Sequence, residues 1–96
     1  MPGYRHIILF HLRPDVDPEQ RDQALSMLRQ AGTFPGIVEW TVEMSLDTRK
    51  GDVIVENSLF ESPEAVVAFR TSEEHRAVGE LMSQIADWAV GDYHEP

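Results

Sequence analysis

Residues 4–12 (YRHIILFHL) are rich in β-branched and aromatic side chains and stop at Arg13-Pro14-Asp15, which predicts a strand ended by a turn. Asp17-Pro18-Glu19-Gln20 then carries the marks of a helix start: a capping carboxylate, proline at the first helical position and an amide at capping-box spacing. Ala24, Leu25, Met27, Leu28 and Ala31 form the apolar side of that helix, and Gly32 is placed to terminate it. Over residues 37–46 the pattern alternates. Val38, Trp40, Val42, Met44 and Leu46 share one face, and Glu39, Thr41, Glu43 and Ser45 the other, as in a half-buried strand. A polar turn over 47–51 leads to a third strand over 52–60. Ser62-Pro63-Glu64 opens a short helix to about Arg70, and Thr71-Ser72-Glu73-Glu74 caps another whose stripe is Val78, Leu81, Met82 and Ile85. A short strand over 88–93, interrupted at Gly91, is the last element. The order βαββααβ predicts an α+β, ferredoxin-like layout: one antiparallel sheet with helices on one face.

Side chains alternate across a strand, so His6 and His11 point to opposite faces. His6 shares its face with Tyr4, Ile8, Phe10 and Leu12, the bulkier set, and is expected between sheet and helices. His11 shares the other face with Ile7 and Leu9, which has no helix cover and needs a partner or water. His75 lies in the first turn of the last helix, on the side of Val78 and Met82, and Gly79 on that side leaves space beside it. His6 and His75 therefore aim at one enclosed volume. The positive end of the helix favours a neutral His75 imidazole, although Glu73 and Glu74 partly oppose it, and a neutral imidazole is a workable general base. Residues 52–60 admit two registers. One turns Phe60, Ser58 and Glu56 inward and brings a carboxylate near the two imidazoles; the other buries Val53, Val55 and Leu59. The second counts more apolar residues and is favoured on pattern alone.

The chain has 96 residues, one domain's worth, of which 42% are apolar and 26% charged. Folding at this size buries only about 60–65% of the chain's surface, so oligomerisation is plausible before any motif is read. A net charge of −9 with no basic run argues against nucleic acid and anionic membranes as partners. With no cysteine, disulfides, cysteine-zinc sites and thiol nucleophiles are excluded. No His-x-x-x-His or His-Glu-x-x-His spacing occurs, so no metal and no cofactor is expected. No apolar run reaches the length of a signal peptide or a membrane span, and a cytoplasmic protein is expected.

The segments HIILFHLRPDV from His6, LFESPEAVVAFRTSEEH ending at His75, and the terminal VGDYHE resemble the stress-responsive dimeric α/β-barrel family, Dabb. The resemblance spans nearly the whole chain and implies a single domain over residues 1–96 that pairs through its sheet into a homodimeric barrel. The plant polyketide cyclases are the family's nearest enzymatic branch, and their two important histidines match His6 and His75. Phe69 and Leu28 stand where that branch carries phenols, so the resemblance extends to the pocket and the histidines but not to those hydroxyls. It implies a small hydrophobic or aromatic carbonyl ligand held between sheet and helices. His6 and His75 would be its polar contacts, with cofactor-free cyclase- or isomerase-like proton transfer. Ile8, Phe10, Leu28, Phe69 and Val78 would line the pocket, and Glu56 is a further candidate. Two alternatives are a non-enzymatic stress protein filled by its own side chains and a cofactor-free monooxygenase on the same fold.

Overall fold

The computed structural model describes residues 3–96. Four strands, β1 (Gly3–Leu12), β2 (Ile37–Met44), β3 (Val53–Phe60) and β4 (Ala86–Glu95), form an antiparallel sheet in the order β2-β3-β1-β4. Helix α1 (Pro18–Gln30) crosses from β1 to β2, and α2 (Pro63–Arg70) with α3 (Glu73–Ile85) crosses from β3 to β4. This is the ferredoxin-like α+β fold that the element order predicts.

The helices start where the caps stand. The Asp17 carboxylate accepts from the Gln20 backbone N–H at 2.8 Å while the Gln20 side chain accepts from the Asp17 N–H at 3.0 Å. Ser62 caps Ala65 and Ser72 caps His75, each at 3.1 Å, so the first-turn backbone of α3 is pinned at His75 itself. Helix α1 ends differently from expectation. It tightens into a 3₁₀ turn, Ala31–Thr33, and Gly32 keeps a negative φ. Gly32 has another use: the Trp40 ring occupies the space a Cβ would take, while the Trp40 indole N–H donates to the Leu28 carbonyl at 3.0 Å.

Two strands depart from their patterns. An irregularity in the β2–β3 pairing between Ile37 and Glu39 turns both Ile37 and Trp40 toward the core and leaves Val38 59% exposed. Leu46 lies beyond the end of β2 and is fully exposed. In β3 the favoured register is overturned: Ile54, Glu56, Ser58 and Phe60 are buried, and Val53, Val55 and Leu59 lie half-buried on the opposite face. Pairing with β1 decides this, because Ile54, Glu56 and Ser58 stand opposite Phe10, Ile8 and His6, whose side chains already face the helices. β4 runs unbroken through Gly91 and begins directly after Ile85, longer at both ends than residues 88–93. The core lies between the sheet and the helices. One part surrounds Ile8, Phe10, Leu28, Ile54 and Met82, and the other surrounds Phe60, Val66 and Phe69. No helix among the described residues is long and apolar enough to cross a membrane.

Candidate functional site

His6 is buried on the helix-facing side of β1, and its ring is held by Asp92 and packed by Phe60. Asp92 stands directly opposite it on β4, and His6 Nδ1 lies 2.6 Å from Asp92 Oδ1. Burial pushes the Asp92 carboxyl up, but hydrogen bonds from Tyr4 and His6, with the charges of His6 and Arg70, outweigh it and hold the group below its ordinary value. Asp92 is therefore ionised near neutrality and accepts, which fixes Nδ1 of His6 as the donor. The Tyr4 hydroxyl donates to the other Asp92 oxygen at 2.7 Å, and Arg70 reaches it at 3.4 Å. On the chain side, Ser58 Oγ donates to the His6 carbonyl at 2.9 Å, and the Phe60 ring meets the imidazole edge-on with centroids 6.2 Å apart.

The free edge of His6 faces Glu56, with Nε2 3.8 Å from Oε2. Glu56 is 3% exposed, and its Oε2 has no hydrogen-bond partner among the described residues. Burial alone pushes its carboxyl up to about 7, so near neutrality a large fraction of it is the neutral acid.

Beyond Glu56 lies a cavity of about 70 Å³, large enough by volume for a few water molecules or a small ligand. Ile8, Phe10 and Trp88 line it from the sheet; Phe69, Val78 and Met82 line it from the helices. Its polar groups are the Glu56 carboxyl and the His75 imidazole, on opposite walls. Burial lowers the His75 pKa, and the charges of His6 and Arg70 lower it further, so the imidazole is neutral near pH 7. Phe69 packs edge-on against it with centroids 5.1 Å apart. Gly79, one turn along α3, borders the same cavity, and a Cβ there would meet no atom within 4 Å.

His75, Ile8, Phe10, Phe69 and Val78 thus meet at the cavity. Leu28 does not: it is fully buried in the α1 core. His6 does not line the cavity either and sits behind Glu56, which takes the inward place that the apolar count of β3 denied it. Asp92 and Trp88 belong to the site, and the sequence pattern does not single them out for it. Pairing β1 with the last strand would have shown His6 facing Asp92, since the two are register partners. His11 is exposed on the other face of β1. Among the described residues no group of three or more His, Asp or Glu side chains is arranged to hold a metal ion.

The family model described as Stress Responsive A/B Barrel Domain (Dabb) matches residues 4–95. No curated protein matches the sequence. Among solved structures, a dimeric ferredoxin-like protein of unknown function from Thermobifida fusca is 19% identical, with a TM-score of 0.86 over 97% of this chain and 91% of its own. A Dabb family protein with a ferredoxin-like fold from Mesorhizobium loti is 14% identical, with a TM-score of 0.81 over 97% and 96%. A hydroxynitrile lyase from Passiflora edulis is 19% identical, with a TM-score of 0.83 over 98% and 94%. At these identities the likeness is one of fold.

Proposed function

The chain belongs to the stress responsive A/B barrel (Dabb) domain family, and we propose that it holds a small hydrophobic or aromatic carbonyl compound between sheet and helices. Cofactor-free proton transfer at that compound, of cyclase or isomerase type, completes the reading. The observation that carries it is Glu56: a buried carboxyl with one unpartnered oxygen, on a residue that borders an apolar cavity. Leaving such a group unpaired costs roughly 1–3 kcal/mol or more, a cost that a ligand hydroxyl or carbonyl removes by pairing with it. A stress protein filled by its own side chains would have no such space. Of the two histidines, His75 reaches the ligand and His6 supports the wall behind it.

Cyclopentanone serves as a compact ketone probe. In saturation-transfer NMR it is expected to bind the wild-type protein and to bind Gly79→Leu more weakly, because Gly79 borders the cavity and has open space for a side chain. Replacing a mid-helix glycine also favours the helix by up to about 1 kcal/mol, so Gly79→Leu is expected to fold at least as stably as wild type. Equal binding by both proteins, or by neither, contradicts the reading.

The sheet's outer face supports a homodimer, and the reading adds a single-domain unit acting in the cytoplasm. Leu9 is 45% exposed there, beside Ile7, Val55 and Ala89, in a face that no helix covers. Light scattering at micromolar concentration is expected to give twice the 10.9 kDa chain mass. Leu9→Glu is expected to shift it toward monomer; a wild-type monomer contradicts the barrel.

A further inference from the structure

We propose that Glu56 is the acid of this site, giving its proton to the ligand's carbonyl oxygen while His75 takes one from the adjacent carbon, and that His6 is a positioning residue for Glu56. The inference rests on the ligand reading of the cavity and adds the division of labour within it.

Geometry separates the roles. Glu56 and His75 border the cavity from the sheet and from α3, whereas His6 does not border it. His6 is clamped through Nδ1 to Asp92 at 2.6 Å, which leaves only Nε2, 3.8 Å from Glu56 Oε2, to face the site. The clamped imidazole backs the Glu56 carboxyl, and Glu56 itself borders the cavity. The groups that face Glu56 are few: His6 from β1, with Asp92 of β4 behind it, and His75 from α3; its β2 partner is Val42, and the α1 end contributes only Ala31. Arg70 of α2 stops at Asp92.

The step balances without a co-reactant. His75 removes a proton from the carbon next to the carbonyl, the C–H electron pair becomes the new C=C bond, and the C=O π pair moves to oxygen, which takes the Glu56 proton. Reversal returns both protons, so the ketone is regenerated or its double bond relocated. Such a reaction needs His75 neutral and Glu56 protonated at the same pH. Burial lowers the first and raises the second, to about 7, which opens that window near neutrality.

Exchange of the α-hydrogens of cyclopentanone in D₂O, followed by proton NMR, reads the step directly. Wild type is expected to catalyse exchange with a bell-shaped pH profile whose alkaline limb falls at about pH 7. Glu56→Gln, the same shape without the acid, is expected to lose about 100-fold in rate while its cyclopentanone affinity stays within about threefold. His6→Asn opens space for water behind Glu56 and weakens the burial that holds its carboxyl up. It is therefore expected to slow exchange and to move the alkaline limb to lower pH, a shift that a residue acting only on stability would not produce. Binding without exchange, or exchange untouched by Glu56→Gln, overturns the inference and leaves the ligand reading standing. An unmoved limb in His6→Asn overturns the role given to His6. Absence of cyclopentanone binding to wild type overturns both.

Discussion

Between about pH 4.5 and pH 7 the wild-type protein is expected to lose about 3 kcal/mol of stability relative to Glu56→Gln. The sign is set by where the proton sits. In the unfolded chain the carboxyl releases its proton near 4.5, while burial holds it in the folded state up to about 7. Across that interval the folded state binds more protons than the unfolded one, so stability falls as pH rises and levels off above about 7. A difference of 7 − 4.5 at about 1.4 kcal/mol per pH unit gives the magnitude. Glutamine cannot titrate, so any pH-independent effect of its amide cancels when the two proteins are compared across the interval. For a domain of this size the effect corresponds to roughly 10–20 °C in Tm. Urea unfolding of both proteins at several pH values measures it. A constant difference between them would mean that Glu56 is solvated or paired.

The second large effect belongs to Phe69, whose truncation to alanine is expected to cost about 3–5 kcal/mol. Its ring is 3% exposed and stands at the centre of an aromatic group. Phe34, Trp40, Phe60 and His75 all have ring centroids within 5.1–5.7 Å of it. Among the described residues no other aromatic ring pairs with all four, so no second ring is in place to fill the space. Against a typical domain stability of about 5–15 kcal/mol, Phe69→Ala is expected to leave the protein marginal in thermal or urea unfolding. Phe69→Leu, which keeps most of the volume, is expected to recover more than half of the loss. A cost below about 1 kcal/mol for the alanine variant would mean that α2 is not anchored to the sheet through this ring.

The two effects differ in how readily the sequence foretells them. Phe69 sits in a helix opened by Ser62-Pro63, and the resemblance to the cyclase branch already places it at the pocket. The caps at Asp17, Ser62 and Ser72 place all three helices, and strand alternation alone turns His6 inward. Glu56 is harder because β3 is apolar on both faces. Val53, Val55 and Leu59 compete with Ile54 and Phe60, and hydrophobic counting selects the wrong side. Only the register against β1 decides, and register is a long-range property. The irregularity near Ile37 has the same character, since it shifts one residue of an otherwise regular alternation. Asp92 is hidden for a related reason: 86 residues separate it from His6, and only the strand order β3-β1-β4 brings them together. Leu28 fails for a different reason. Its expected place at the pocket rests on where a related enzyme branch carries a phenol, whereas in this chain α1 buries that position in its own core.

The proposed site reduces to one group, a buried carboxyl on the wall of the cavity. Carbon-13 NMR of the Glu56 side-chain carboxyl, titrated in the free protein and again with saturating cyclopentanone, tests that claim most directly. The predicted result is a midpoint at about 7 in the free protein that moves when the ketone is bound. A midpoint in the ordinary carboxylate range near 4.5, unchanged by the ketone, would contradict it.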